Sequence, residues 1–117
     1  MIFPTRDVFV VPSLTIILAP GIPLSCGLEP DTLVNYTTRW ILPGGQMISS
    51  DQGRYVFSEH RVTVDVRQLP GTILVVAMLS YLDAGTYTCE GRSTAPGAST
   101  VWASASIELQ LNCKLNI

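Results

Sequence analysis

Charged side chains are scarce in this 117-residue sequence. Lys, Arg, Asp and Glu together make up 14% of it, against about 25% in typical soluble domains. The seven Lys and Arg residues are scattered without a basic stripe, and the formal net charge is −2. Non-specific nucleic-acid binding needs a basic patch, so we expect no nucleic-acid partner. The 47% apolar content instead predicts an ordered domain that shares apolar surface with a neighbouring domain or a partner.

Long hydrophobic runs are also missing. The longest unbroken apolar stretch covers residues 73–79, whereas a membrane-spanning helix needs about 20 apolar residues. We therefore expect no direct membrane insertion by this chain. Residues 1–4 do not resemble a signal peptide, because no charged start precedes a longer apolar segment. We expect the chain to be a fragment of a longer secreted or membrane-anchored protein.

No set of residues for catalysis or metal binding can be assembled from the sequence. His60 is the only histidine. Its neighbour Glu59 would allow a metal or acid–base role, but a solvated loop position is the favoured interpretation, since one histidine gives no multidentate ligand set. Three cysteines separated by 63 and 24 positions make no zinc motif, and no Ser/His/Asp or Cys/His set is evident. We expect no enzyme activity, no cofactor and no metal.

Short β-rich runs alternate with Gly, Pro, Asn and Asp residues along the chain, which is typical of all-β proteins. The length is that of one domain. The predicted strands cover residues 7–11, 15–18, 23–26, 38–42, 46–48, 55–57, 61–66, 72–78, 85–91 and 103–111. We also predict a break at residues 12–13, a turn at residues 69–71 and a loop at residues 93–99.

The most informative residues surround two of the cysteines. Trp40 follows Cys26 by 14 positions, and the motif Asp83-x-Gly85-x-Tyr87-x-Cys89 ends 63 positions after Cys26. With these residues the chain resembles an immunoglobulin superfamily domain over nearly its whole length. The resemblance implies a Greek-key sandwich of two antiparallel sheets, joined by a Cys26–Cys89 disulfide that packs against Trp40. It further implies a tyrosine corner at Tyr87 and an oxidising compartment.

Details of the resemblance favour a variable-like or intermediate domain. The separation of 63 leaves room for extra C′ and C″ strands. Arg61 stands 22 positions before Asp83, close to the spacing of the family's ion pair, which implies that these two residues pair. The last predicted strand, 103–111, lacks a Gly-x-Gly bulge, and the strand at residues 38–42, strand C in the family's lettering, lacks the glutamine with which antibody chains pair. These departures favour modules of adhesion and receptor ectodomains, including receptor tyrosine kinases, over antigen-receptor variable domains.

Asn35 and Cys113 are candidate sites of covalent modification, and each also has a simpler interpretation. Asn35 begins an Asn-Tyr-Thr glycosylation sequon on a predicted exposed loop, and we expect it to carry a glycan in a secreted protein, although such motifs also arise by chance. Cys113 is left over if the other two cysteines pair. It is interpreted either as an exposed thiol at the domain end or as half of a disulfide to another domain or chain.

A candidate partner surface follows from strand parity. If Trp40 and Cys89 point into the core, alternate residues on the same strands point out. On strand C, on residues 85–91 (strand F) and at the start of residues 103–111 (strand G), these outward residues are Arg39, Ile41, Thr88, Glu90, Trp102 and Ser104. Trp102 is the proposed anchor, since binding hot spots are enriched in Trp and Arg. The alternative is that Trp102 packs under the preceding loop and binds nothing.

The resemblance implies an extracellular recognition module, in residues 1–112, followed by domain-end or linker residues 113–117. We expect it to belong to a cell-surface adhesion or signalling receptor, either secreted or with a single membrane span. It would bind a protein partner or itself, beside neighbouring ectodomain modules. The first alternative is a structural spacer domain, and the second is an antigen-receptor variable domain.

Overall fold

Eight β-strands make up most of the described chain. The computed structural model describes residues 9–14, 21–97 and 102–110. Within them the strands are β1 (Phe9–Leu14), β2 (Gly21–Glu29), β3 (Tyr36–Ile41), β4 (Met47–Ile48), β5 (Tyr55–Val64), β6 (Arg67–Ala77), β7 (Gly85–Ser93) and β8 (Ala103–Leu109). A short 3-10 turn, Tyr81–Asp83, joins β6 to β7, and none of these described residues lies in an α-helix.

The strands form two four-stranded antiparallel sheets. One sheet has the order β1-β2-β6-β5 and the other has the order β4-β3-β7-β8. The chain crosses from one sheet to the other three times, between β2 and β3, β4 and β5, and β6 and β7, so the central pairs β2–β6 and β3–β7 join strands that are distant in sequence. This connectivity is that of a Greek-key sandwich. The predicted all-β, immunoglobulin-like sandwich is therefore confirmed.

The core lies between the sheets and is centred on the predicted disulfide. Cys26 on β2 is bonded to Cys89 on β7, with Cα atoms 6.5 Å apart, so the bond joins the two sheets. Trp40 lies opposite Cys89 in the β3–β7 ladder and is fully buried. The Tyr87 hydroxyl donates to the carbonyl oxygen of Asp83 at 2.6 Å. The disulfide, the buried tryptophan and the tyrosine corner are thus confirmed, and a buried disulfide suggests an extracellular domain.

The hairpin of β5 and β6 is longer than predicted. β5 joins the predicted strands 55–57 and 61–66 without a break, because its pairing with β6 continues from Tyr55, but it ends at Val64, two residues earlier than predicted. The chain then reverses at residues 65–66, where Asp65 takes the left-handed backbone conformation with a φ of 57°. An aspartate tolerates this conformation better than most residues do, so a turn forms without glycine.

The turn predicted at residues 69–71 is wrong. Leu69, Pro70 and Gly71 lie buried inside β6. A Cβ atom on Gly71 would lie 2.1 Å from the carbonyl oxygen of Cys26. Glycine is therefore needed here because β2 and β6 approach closely, not because the chain turns.

The break predicted at residues 12–13 is also wrong, because β1 continues through Pro12 and Ser13. β1 is an edge strand that pairs with β2 on one side only. A proline, which has no N–H to donate, is tolerated on such an edge. The predicted strand at residues 15–18 lies outside the described residues.

The predicted C′ strand forms as β4, but the C″ strand does not. Residues 49–54 contain an isolated bridge between Gln52 and Tyr55 and no strand. Because β4 pairs only with Trp40 and Ile41, the rest of the β3 edge needs another acceptor. Glu59 of β5 supplies it, since its Oε2 accepts hydrogen bonds from the N–H and hydroxyl of Thr38, at 2.8 Å and 2.7 Å. A side chain thus takes the place of a strand along this edge.

Candidate functional site

The outward surface of the β4-β3-β7-β8 sheet holds the predicted partner residues. Its cross-strand registers place them in rows, since Arg39 is opposite Glu90, Glu90 opposite Ser104, and Ile41 opposite Thr88. The β-strand period of two puts alternate residues on the same face. We call this surface the Trp102 face, and it comprises Thr37, Arg39, Ile41, Met47, Thr86, Thr88, Glu90, Arg92, Trp102, Ser104, Ser106 and Glu108.

Two arginines stack on one indole at one end of the Trp102 face. The guanidinium carbon of Arg39 lies 3.8 Å from the ring centroid of Trp102, and that of Arg92 lies 4.7 Å from it. Arg39 is also paired with Glu90 through its Nε. Stacking of a cation on tryptophan is worth about 0.5–1 kcal/mol when exposed and more when desolvated. The cluster therefore presents one aromatic ring, immediately before β8, flanked by cations on β3 and β7.

The charge of this cluster is not balanced. Glu90 compensates Arg39, whereas no described carboxylate is paired with Arg92. The Arg92 Nε is buried and has no hydrogen-bond acceptor. A guanidinium is always charged, so the Arg92 end of the Trp102 face carries a net positive charge and an unfilled demand for an acceptor.

Trp102 is half-buried, and its neighbours on the described surface are the two arginines. Arg39 of β3 and Arg92 of β7 therefore account for at least part of its burial, and residues 98–101 lie outside the described part of the chain. Ile41, Thr88 and Glu90 are half-buried and Ser104 is exposed. All six predicted face residues lie together on one surface.

Arg92 was missed by the prediction. The predicted strand ended at residue 91, whereas β7 continues to Ser93. Thr88 and Glu90 point outward because Cys89 points inward, and the next outward position in the same alternation is Arg92. A strand end is among the least certain features of a sequence-based prediction, and this one removed a functional candidate.

A second polar cluster lies at the bottom of the sandwich and corrects the predicted ion pair. Asp83 is paired with Arg54, not with Arg61, and both of its carboxylate oxygens accept hydrogen bonds from the Arg54 guanidinium. Arg61 is exposed and donates instead to the carbonyl oxygens of Asp31 and Gln68. Arg54 immediately precedes β5, so the end of that strand and not its middle reaches Asp83.

Electrostatics around Asp83 follow from this pairing. The hydrogen bonds from the Arg54 guanidinium hold the pKa of the Asp83 carboxyl below its usual range, even though burial opposes ionisation. The same bonds raise the pKa of Arg54. Burial, helped by the charge of Asp83, raises the pKa of Tyr87 to about 12. The cluster is a fixed structural ion pair with a neutral hydroxyl beside it.

Asn35 is exposed immediately before β3. Its carbonyl oxygen accepts hydrogen bonds from the N–H of Thr94 and the hydroxyl of Ser93. The backbone of the sequon is therefore anchored while the Asn35 side chain stays accessible. Cys113 lies outside the described residues, so both interpretations of that thiol stay predictions.

His60 is exposed, as predicted, but it lies within β5 and not in a loop; its Nδ1 is 2.8 Å from the carbonyl oxygen of Arg61. In residues 9–14, 21–97 and 102–110, no three His, Cys, Asp or Glu side chains gather to hold a metal ion. No helix in that part of the chain is long and apolar enough to cross a bilayer.

Compared with models of known protein families and with curated protein sequences, the chain matches none of them. The fold and the Trp102 face are therefore the basis for its function.

Proposed function

We propose that this chain is an extracellular recognition module of a cell-surface adhesion or signalling receptor, and that it binds a protein through the Trp102 face. The observation that carries the proposal is the Arg39–Trp102–Arg92 cluster. Tryptophan and arginine are the residues most enriched in binding hot spots, and here two arginines hold the indole ring in place. A preordered anchor loses little side-chain entropy on binding.

Apolar surface beside the cluster supports the same proposal. Met47 is 56% exposed, and its register partner Ile41 is half-buried on the same side of the sheet. Thr88 on β7 and Ser104 and Ser106 on β8 are small side chains on the same face, so a partner could approach the sheet closely. A mixed surface with an apolar part and a few placed polar groups is the usual composition of a transient protein interface.

The domain subtype belongs to the proposal too. We infer a variable-like or intermediate immunoglobulin domain, since a short C′ strand extends the β3-β7-β8 sheet. In this interpretation β1, β2, β6 and β5 correspond to strands A, B, E and D, and β3, β4, β7 and β8 to C, C′, F and G. A receptor tyrosine kinase ectodomain is one host that fits such a module.

A structural spacer is the second candidate function. Met78 and Leu82 are 72% and 75% exposed, and both lie at the end of the sandwich where Leu109 pairs with Gly85. Exposed apolar side chains at a domain end suit packing against a neighbouring module. This observation concerns a different surface from the Trp102 face, so the two functions can be tested separately.

The test is multivalent binding of the whole chain displayed on fluorescent beads. We expect beads that carry the wild-type chain to bind one another or to bind cells of the organism that encodes it. Ile41→Asp introduces an unpaired charge into the Trp102 face and should abolish that binding. Val56→Asp is the matched control, because Val56 is 47% exposed on the other sheet.

Loss of binding in Ile41→Asp and retention in Val56→Asp, with both variants folded, would support a recognition function. Equal binding by the two variants would refute a role of the Trp102 face. Absence of any binding by wild-type beads would favour the spacer.

A further inference from the structure

The two uncompensated charges of the Trp102 face lie at its opposite ends. Arg92 is the only described arginine whose guanidinium has no oxygen acceptor, since those of Arg39, Arg54, Arg61 and Arg67 are all bonded. Glu108 is exposed on β8 and is paired with no arginine or lysine of the described residues. Its recorded side-chain contact is a 3.3 Å hydrogen bond from Gln110.

The register of β7 and β8 fixes the distance between these charges. Glu108 is opposite Thr86, while Glu90 is opposite Ser104 and Arg92 is one row further along β7. Arg92 lies six positions along β7 from Thr86, the residue opposite Glu108. Six positions correspond to about 20 Å at about 3.4 Å per residue. Within one molecule the two side chains therefore cannot meet.

A second copy of the chain can bring them together. Consider two copies whose Trp102 faces pack against each other, related by a two-fold axis that lies in the interface. If the axis runs perpendicular to β7 at the level of Cys89, each strand packs across the same strand of the second copy, and the two run in opposite directions. The row of Arg92 and Trp102 then faces the row of Thr86 and Glu108 of the second copy. Two-fold symmetry forms this contact twice, as in all isologous dimers.

The side chains near the axis permit such close contact. Ser106 would face Ser104 of the second copy, and Thr88 would face Glu90, whose charge is already neutralised by Arg39. The Thr88 and Ser106 hydroxyls lie 2.8 Å apart and satisfy each other. The centre of the contact thus carries no net charge, because Arg39 and Glu90 neutralise each other, and the unpaired charges lie only at its two ends.

We propose that the partner of the Trp102 face is a second copy of this chain, paired through reciprocal Arg92–Glu108 contacts. This inference rests on the proposed function and names its partner. It gives the Arg92 guanidinium a carboxylate and Glu108 a cation, so that neither charge on the face stays unpaired. Two reciprocal ion pairs of opposite charge fix the relative direction of the strands in the two copies, and they also select the partner.

The test is sedimentation of the whole chain over a wide concentration range, with Cys113→Ser in every variant so that disulfide-linked dimers cannot form. We expect wild type to self-associate reversibly. Arg92→Glu and Glu108→Arg should each weaken self-association about tenfold or more, because each creates two like-charge contacts per dimer. An equimolar mixture of the two variants should restore it, because every contact in the mixed dimer is again between opposite charges.

Arg61→Glu is the matched control, since it reverses an exposed arginine on the other sheet and should leave self-association unchanged. A monomeric wild type, charge reversals without effect, or a mixture that stays monomeric would each overturn the inference. If wild type is monomeric while Ile41→Asp still abolishes bead binding to cells, recognition stands and the second copy is replaced by a different protein. If wild-type beads also bind nothing, both proposals fail.

Discussion

Replacing Arg54 should destabilise the domain far more than replacing Arg61. Asp83 is 4% exposed, whereas Arg54 is 27% exposed, so loss of the guanidinium leaves a buried carboxylate with only the Ser80 N–H at 2.8 Å as a remaining donor. Breaking a fully buried pair costs about 3–5 kcal/mol. Because Arg54 retains some contact with water, we expect Arg54→Gln to cost about 2–3 kcal/mol.

The assay is urea unfolding of the whole chain with the disulfide intact. Arg61→Gln is the control, because Arg61 is exposed and bonds carbonyl oxygens only; its cost should stay within about 1 kcal/mol. Equal losses in the two variants, or a larger loss in Arg61→Gln, would refute the assignment of the ion pair to Arg54.

Acid unfolding gives an independent check on the same pair. The pKa of Asp83 is lowered in the folded state, so the folded protein takes up this proton less readily than the unfolded chain does. The stabilisation is complete above the unfolded value of about 3.9 and is lost as the pH falls through the lower folded value. Arg54→Gln should weaken this acid-induced loss of stability. A variant that loses stability on acidification as steeply as wild type would contradict the argument.

Three other predictions concern single positions. Gly71→Ala should cost about 2–3 kcal/mol in urea unfolding, because its Cβ would lie 2.1 Å from a carbonyl oxygen. Gly44→Ala, with no atom within 4 Å of its Cβ, should change stability by less than about 0.5 kcal/mol, and comparable losses would be evidence against the close approach of β2 and β6. Glu59→Ala should cost about 1–2 kcal/mol because it removes the acceptor of Thr38, whereas Glu59→Gln should recover most of that loss; no difference between them would argue against the edge contact. Asn35 should carry a glycan after secretion from eukaryotic cells, and peptide mapping that finds it unmodified would reject this site.

The residues of the core were predictable because several independent constraints agree on them. The separation of Cys26 and Cys89, the place of Trp40 and the position of Tyr87 each match the family pattern. Period-two alternation then fixes which way their strand neighbours point. The side chains of the Trp102 face follow from the core without any knowledge of the partner, and this is why six of them could be placed before the structure was known.

The ion pair of Asp83 could not be chosen from sequence. Arg54 and Arg61 lie 29 and 22 positions before it, and both belong to or adjoin β5. Which of them reaches the bottom of the sandwich depends on how far β5 extends, and β5 joins two runs that were predicted as separate strands.

The turn predicted at residues 69–71 is wrong for a related reason. Leu-Pro-Gly has the composition of a turn, yet here the glycine allows two strands to approach. Local composition gives the same signal for both situations, and only the pairing of β2 with β6 separates them. Arg92 was lost in the same way, through a strand that continues two residues beyond its predicted end.

The central claim is that the Trp102 face is a recognition surface, and removal of its anchor tests it most directly. Bead binding of the whole chain should be measured for wild type and for Trp102→Ala, with urea unfolding to confirm that both are folded. We expect Trp102→Ala to lose binding while the domain stays folded, because the indole on which Arg39 and Arg92 stack is gone. Undiminished binding by a folded Trp102→Ala chain would contradict the claim.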